Sequence, residues 1–142
     1  MFRFFSVTGF LSLAVMVLVA PPALAQSPDA VLAVFKAAAA GAPDFQVFSA
    51  ARGEQFFKAK HGKEVSCASC HTDNPAASGK HVDTNKDIKP LAPAANDERF
   101  TDMAKVEKWF KRNCKDVLGR LCTPQEKGDV LSYLLTVKKQ GD

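Results

Sequence analysis

Residues 67–71 read CASCH, two cysteines parted by two residues and followed at once by a histidine. Thiols at that step can add across the two vinyl groups of one porphyrin edge. The histidine that follows then brings its imidazole beneath the iron. C-x-x-C-H is the attachment signal of haem c, and histidine is a common proximal ligand of haem iron. Cys67 and Cys70 are the candidate thioether residues and His71 the candidate proximal ligand. Two other chemistries use similar residues. A thioredoxin-like dithiol sits in a βαβ context, and no such pattern surrounds this motif. Zinc held by Cys67, Cys70, Cys114 and Cys122 would have 43 residues between its two halves, unlike the spacing of a ribbon or finger.

His71 can hold only one side of the iron. An electron-transfer cytochrome c places a methionine or a second histidine opposite. Beyond the leader described below, the chain offers Met103, His61 and His81. Met103 lies on an apolar helical stripe, where methionine is usually core filler. His61 stands beside Gly62, Lys63 and Glu64, and His81 lies in the polar stretch GKHVDTNK. Asn113 is a fourth candidate. It continues the face of Val106, Trp109 and Phe110 at helical spacing, and an amide directed inward needs a partner. An asparagine there could equally end the helix as a left-handed cap. The residue pattern leaves both readings open.

Four helical segments position these residues. Ser27-Pro28 opens the first, which stops at Gly41. Ser49 caps a second, AARGEQFFKAKH, that runs toward the motif. Residues 72–100 hold Pro75, Gly79, Pro90 and Pro93 and no helical period. So long a loop either lacks order or wraps around something, and a haem is a plausible centre. The third helix starts at Thr101 and reaches Asn113, and NCKDVLGRLC follows as a loop. Thr123-Pro124-Gln125-Glu126 has the form of a capping box with proline in the first turn. It opens a last helix with a stripe of Val130, Leu131, Leu134, Leu135 and Val137. No strand pattern emerges, so the fold class is all-α.

The chain opens MFRFFSVTGFLSLAVMVLVAPPALAQ. Arg3, an apolar run, and Ala23-Leu24-Ala25 before Gln26 have the form of a signal peptide. The expected domains are a leader, 1–25, and one small domain, 26–142, exported to the periplasm with no membrane span once the leader is removed. The formal charge is +4 for the whole chain and +3 without Arg3. That mild basicity suits an acidic protein partner and is no nucleic-acid footprint. Lys58, Lys60, Lys63 and Lys80 lie near the motif, although a lysine face is more often simply solvated. Phosphate-binding glycine loops, HExxH and GxSxG are missing. Four cysteines in an oxidising compartment invite pairing, and Cys114 and Cys122 are left over.

CASCHTDNP, KPLAP, RFTD, KVEKWFKRNC, VLGR and CTPQEK resemble the sphaeroides haem protein family of high-spin, oxygen-binding cytochromes c, and its relative cytochrome c double-prime. The similarity runs from Cys67 to about Leu135. It implies a small class I-like cytochrome c fold around one covalent haem c. In the first family the asparagine of an RNC motif binds ferric iron and lets go on reduction; in the second a histidine does so. Arg112-Asn113-Cys114 follows the asparagine branch, while CASCHTDNP looks more like the histidine branch. The resemblance thus makes Asn113 the labile distal ligand and Cys114–Cys122 a disulfide. Trp109 and Phe110 would line an apolar distal face open to O₂, NO or CO after reduction. A dihaem cytochrome c and a membrane cytochrome b are the partners it implies. The competing expectation is a plain electron carrier with a permanent Met or His ligand. No residue supplies a convincing distal acid–base group for an enzyme.

Overall fold

The computed structural model describes residues 26–62 and 64–139; the expected leader, 1–25, lies outside them. Helix α1, Pro28–Ala39, starts as its first residues dictate. The Ser27 hydroxyl accepts from the Ala30 N–H at 3.1 Å, and Asp29 and Lys36 sit at the ends the helix dipole favours. Helix α2, Ala50–Lys58, is capped by Ser49. It ends short of His61, because Ala59 is already extended. A one-turn helix, α3, spans Ala68–His71 and makes a fifth helix where four were expected. Strands β1, Gly79–Lys80, and β2, Asp87–Ile88, pair antiparallel with Gly79 opposite Ile88. This is the one small departure from all-α.

Helix α4, Met103–Leu118, runs five residues past Asn113 and is closed by Gly119 in the left-handed region. Two expectations are corrected here. Asn113 is not a C-terminal cap, and half of the stretch expected as loop between Cys114 and Cys122 is helix. Lys115-Asp116-Val117-Leu118 contains nothing that breaks a helix, and glycine at φ 72° is a far cheaper terminator than asparagine. Helix α5, Pro124–Thr136, begins with the full capping box: Thr123 accepts from the Glu126 N–H, and Glu126 from the Thr123 N–H.

Helix α5 is the centre of the molecule, packed on α1 and on α2. Val31, Phe35, Val106 and Leu131 form one apolar cluster, and Phe57, Val130, Tyr133 and Leu134 a second. Phe110 packs against both, meeting Phe35 edge-on at 5.6 Å between centroids. Where α2 crosses α5, Gly53 stands so close to Asp129 that a Cβ would overlap the Asp129 carbonyl oxygen. Beside that crossing, the buried Asp129 carboxylate accepts from Arg52 Nε and Nη2, both at 2.8 Å, and from the Ser49 N–H at 2.7 Å. Nothing in the residue pattern signals this clamp, since a lone aspartate on a helix usually faces water. None of the described helices is long and apolar enough to cross a membrane.

Candidate haem site

The motif turn is held by its own hydroxyls. Ser66 and Ser69 cap each other reciprocally, each backbone N–H donating to the other's Oγ at 3.0 and 3.1 Å. The His71 N–H closes the turn onto the Cys67 carbonyl at 3.0 Å. Behind it, Gly79 of β1 lies directly against the Cys70 carbonyl, in space where a Cβ would overlap that oxygen. Just after the motif Thr72 takes φ 63°, an unusual value for a β-branched residue. This sharp reversal starts the long loop. The loop is well pinned: Pro75 accepts from the Leu91 and Ala92 N–H groups, and Arg99 donates to the carbonyls of Pro90 and Lys89 at 2.9 and 2.8 Å.

The donor set on this turn fits haem c. Cys67 and Cys70 are both free thiols. Burial pushes the Cys67 thiol up to about 11, so it is protonated at neutral pH, whereas a dithiol redox centre needs a lowered thiol pKa. Burial, helped by the Arg99 charge, pushes His71 down to about 4. Its imidazole is therefore neutral and keeps a lone pair for a metal. The zinc reading fails on geometry. Cys114 and Cys122 are joined in a disulfide with Cα atoms 5.6 Å apart, and the described residues contain no cluster of three or more metal-ligating side chains.

The alternative distal ligands are occupied locally. Met103 packs against the cluster of Val31, Phe35, Val106 and Leu131. His61 Nε2 lies 3.0 Å from the Phe56 carbonyl, its ring against the Phe56 ring at 4.8 Å. His81 Nδ1 accepts from the Asp83 and Thr84 N–H groups and closes the turn between β1 and β2. Asn113 differs. Two turns beyond the buried Val106, it lies at the edge of the inward face of α4, on the side of the exposed Trp109, and is exposed rather than packed in the interior as the spacing suggested. Phe110, one turn before it, meets the same apolar cluster as Cys67 and Ala68 of the motif. Trp109 is 45% exposed, with Lys108 and Arg112 over its ring at 5.7 and 5.6 Å. Ser66, Gly79 and Arg99 were not singled out from sequence. Only the Ser-x-x-Ser spacing could have signalled any of them.

Residues 43–134 match the family model described as a domain of unknown function, DUF1924. Over 121 residues the chain is 46% identical to cytochrome c-type protein SHP of Cereibacter sphaeroides, spanning 81% of this chain and 89% of that one. The chain belongs to the family of SHP and cytochrome c''. It is also 54% identical over 83 residues to cytochrome c'' of Methylophilus methylotrophus, a match that spans 58% of that relative's length. The fold agrees. Oxidized SHP, an oxygen binding cytochrome c, superposes with a TM-score of 0.68 at 43% identity, covering 78% of this chain and 96% of that one. Oxidized cytochrome c'' gives 0.70 at 42% identity, covering 79% and 95%. The all-α expectation therefore stands, and membership of this family of c-type cytochromes implies a covalently bound haem c.

Proposed function

We propose that this chain is a periplasmic monohaem cytochrome that transfers electrons and, once reduced, binds a diatomic gas on the side of Asn113. The leader at 1–25 exports it, and the Cys114–Cys122 disulfide suits an oxidising compartment. When bound, the haem supplies a one-electron couple and a coordination position for the gas. Cys67 and Cys70 would hold it covalently, and His71 would present a neutral imidazole to the iron. Asn113 would offer the iron an amide oxygen, a hard donor that suits ferric better than ferrous iron. Phe110 would keep the buried side of the distal face apolar, whereas Trp109, expected to line it too, is half exposed with Lys108 and Arg112 over its ring. The Asn113 amide would offer a bound gas a hydrogen bond. Electron partners are another cytochrome, with a dihaem cytochrome c or a membrane cytochrome b as first choices. No residue of the distal side is assigned acid–base catalysis.

One observation carries this reading: Asn113 is exposed at the edge of the α4 face that bears Val106 and Phe110, while Met103, His61 and His81 are each engaged elsewhere. The likeness to oxidized SHP, an oxygen binding cytochrome c, supports it. The test is the visible spectrum of the haem-loaded protein when oxidised, reduced, and reduced under NO. Wild type should be low-spin ferric, high-spin ferrous, and readily nitrosylated. Asn113→Ala should be high-spin in both states. Sharp low-spin ferrous bands that ignore NO would mean a permanent ligand and a plain electron carrier.

A further inference from the structure

Charge on α4 is sorted by face. Lys105, Lys108, Lys111, Arg112 and Lys115 are all exposed. At the helical turn angle they fall within about 120° of the circumference and along roughly 15 Å of axis, with Ala104 the one uncharged residue among them. The two acids of the helix lie outside that arc. Glu107 turns to Lys127 at 2.6 Å, and Asp116 stands 3.9 Å from Arg112 at the edge. With Lys105 facing Asp102 at 3.5 Å, the three lysines 108, 111 and 115 remain unpaired among the described residues. Residues 26–142 hold 18 cations and 15 acids, and α4 alone holds five and two. The whole net charge of +3 therefore resides on this one helix.

Trp109, the single tryptophan of the chain, borders the stripe. It is half exposed, with Lys108 and Arg112 over its ring. An exposed tryptophan set among cations has the composition of an interface anchor. We infer that the outer face of α4 docks an acidic electron-carrying protein, with Trp109 as the apolar anchor of the contact. The inference rests on the electron-transfer reading above. Charge complementarity selects the partner class. A helix that lies on lipid immerses its own apolar face, whereas that of α4 is turned into the core through Val106 and Phe110. The lysines near the motif make a poorer dock. Lys58 is paired with Glu54 at 2.6 Å, and Lys80 faces Asp87 at 3.9 Å. Docking on α4 places the partner on the same helix as Asn113, so electron delivery and ligand release share one element.

The test is stopped-flow reduction of the haem-loaded protein by a fully reduced acidic flavodoxin, used as the probe, at low and at physiological ionic strength. Wild type should react faster at low salt. K108E/K111E/K115E should lose about tenfold or more of the low-salt rate constant and most of its salt dependence. The neutral variant K108Q/K111Q/K115Q should fall between. K58E/K60E/K80E changes the net charge equally and should stay within about twofold of wild type. Equal losses in the two charge-reversal variants would reduce the effect to net charge and overturn the inference, as would an unaffected α4 variant. Tighter binding to phosphatidylcholine–phosphatidylglycerol vesicles than to flavodoxin would replace the protein partner with a lipid surface. A haem that flavodoxin fails to reduce at any salt concentration defeats the electron-transfer reading and this inference together.

Discussion

At the scale of single residues, legibility followed covalent chemistry. Cys67, Cys70 and His71 stand out in the sequence because the thioether formation and iron ligation proposed for them demand those atoms at that spacing. Gly79 does not, because its role depends on a backbone carbonyl nine residues upstream folding against it. Gly79→Ala should lower stability by at least about 2 kcal/mol in urea unfolding, since the Cys70 carbonyl it would strike is backbone and cannot swing away. Haem incorporation should fall with it. Asn113 was half legible: its helix face could be read, but its exposure could not. Asparagine does not titrate near neutrality, whereas a released histidine takes up a proton. Asn113→His should therefore give a reduction potential that falls with pH, approaching about 60 mV per unit between the two histidine pKa values. Wild type should show a much shallower slope, and equal slopes in potentiometric titration would contradict the asparagine assignment.

At the scale of elements, starts were easier to read than ends. Ser27, Ser49 and Thr123 each cap the helix assigned to them, because an N-cap is a local bond between a side chain and the next turn. The end of α4 was misjudged, because Asn113 sits where either reading is locally acceptable and only Gly119 decides. The disulfide ties the last turns of α4 to the cap of α5 across a separation of eight residues. The Cys114→Ala/Cys122→Ala double variant should lose about 2.5 kcal/mol from loop-closure entropy. Thermal denaturation of the haem-loaded forms measures it. A further signature should be loosened ligation by Asn113, visible as a larger high-spin ferric fraction.

For the whole molecule, the hydrophobic stripes foretold that α5 packs against its neighbours. They could not foretell how closely α2 crosses it, since that rests on Gly53 meeting a backbone carbonyl. Nor could they show the Arg52–Asp129 clamp beside the crossing. The pH response of the fold comes instead from a local pairing at the start of α5. Burial pushes the Glu126 carboxyl up, but hydrogen bonds from Arg120 and from the Thr123 N–H more than offset it and hold the group below its ordinary 4.5. Ionised Glu126 thus stabilises the fold above that value. The contribution fades as pH falls through the lower folded value. Glu126→Gln should be less stable than wild type at pH 7, and the difference should shrink from about pH 4.5 downward in urea titrations.

The eight-residue separation of Cys114 and Cys122 also solves a sorting problem. On the proposed function, a newly exported chain carries four thiols, and the two of the haem motif must not be joined to the other two. Closing the short ring costs about 1.5 kcal/mol less chain entropy than joining either of these cysteines to Cys67 or Cys70, more than 40 residues away. Chain length alone thus favours the correct pair by about tenfold over each cross-pairing. An oxidant that acts without regard to sequence still leaves the haem-bearing cysteines unentangled with the rest of the chain.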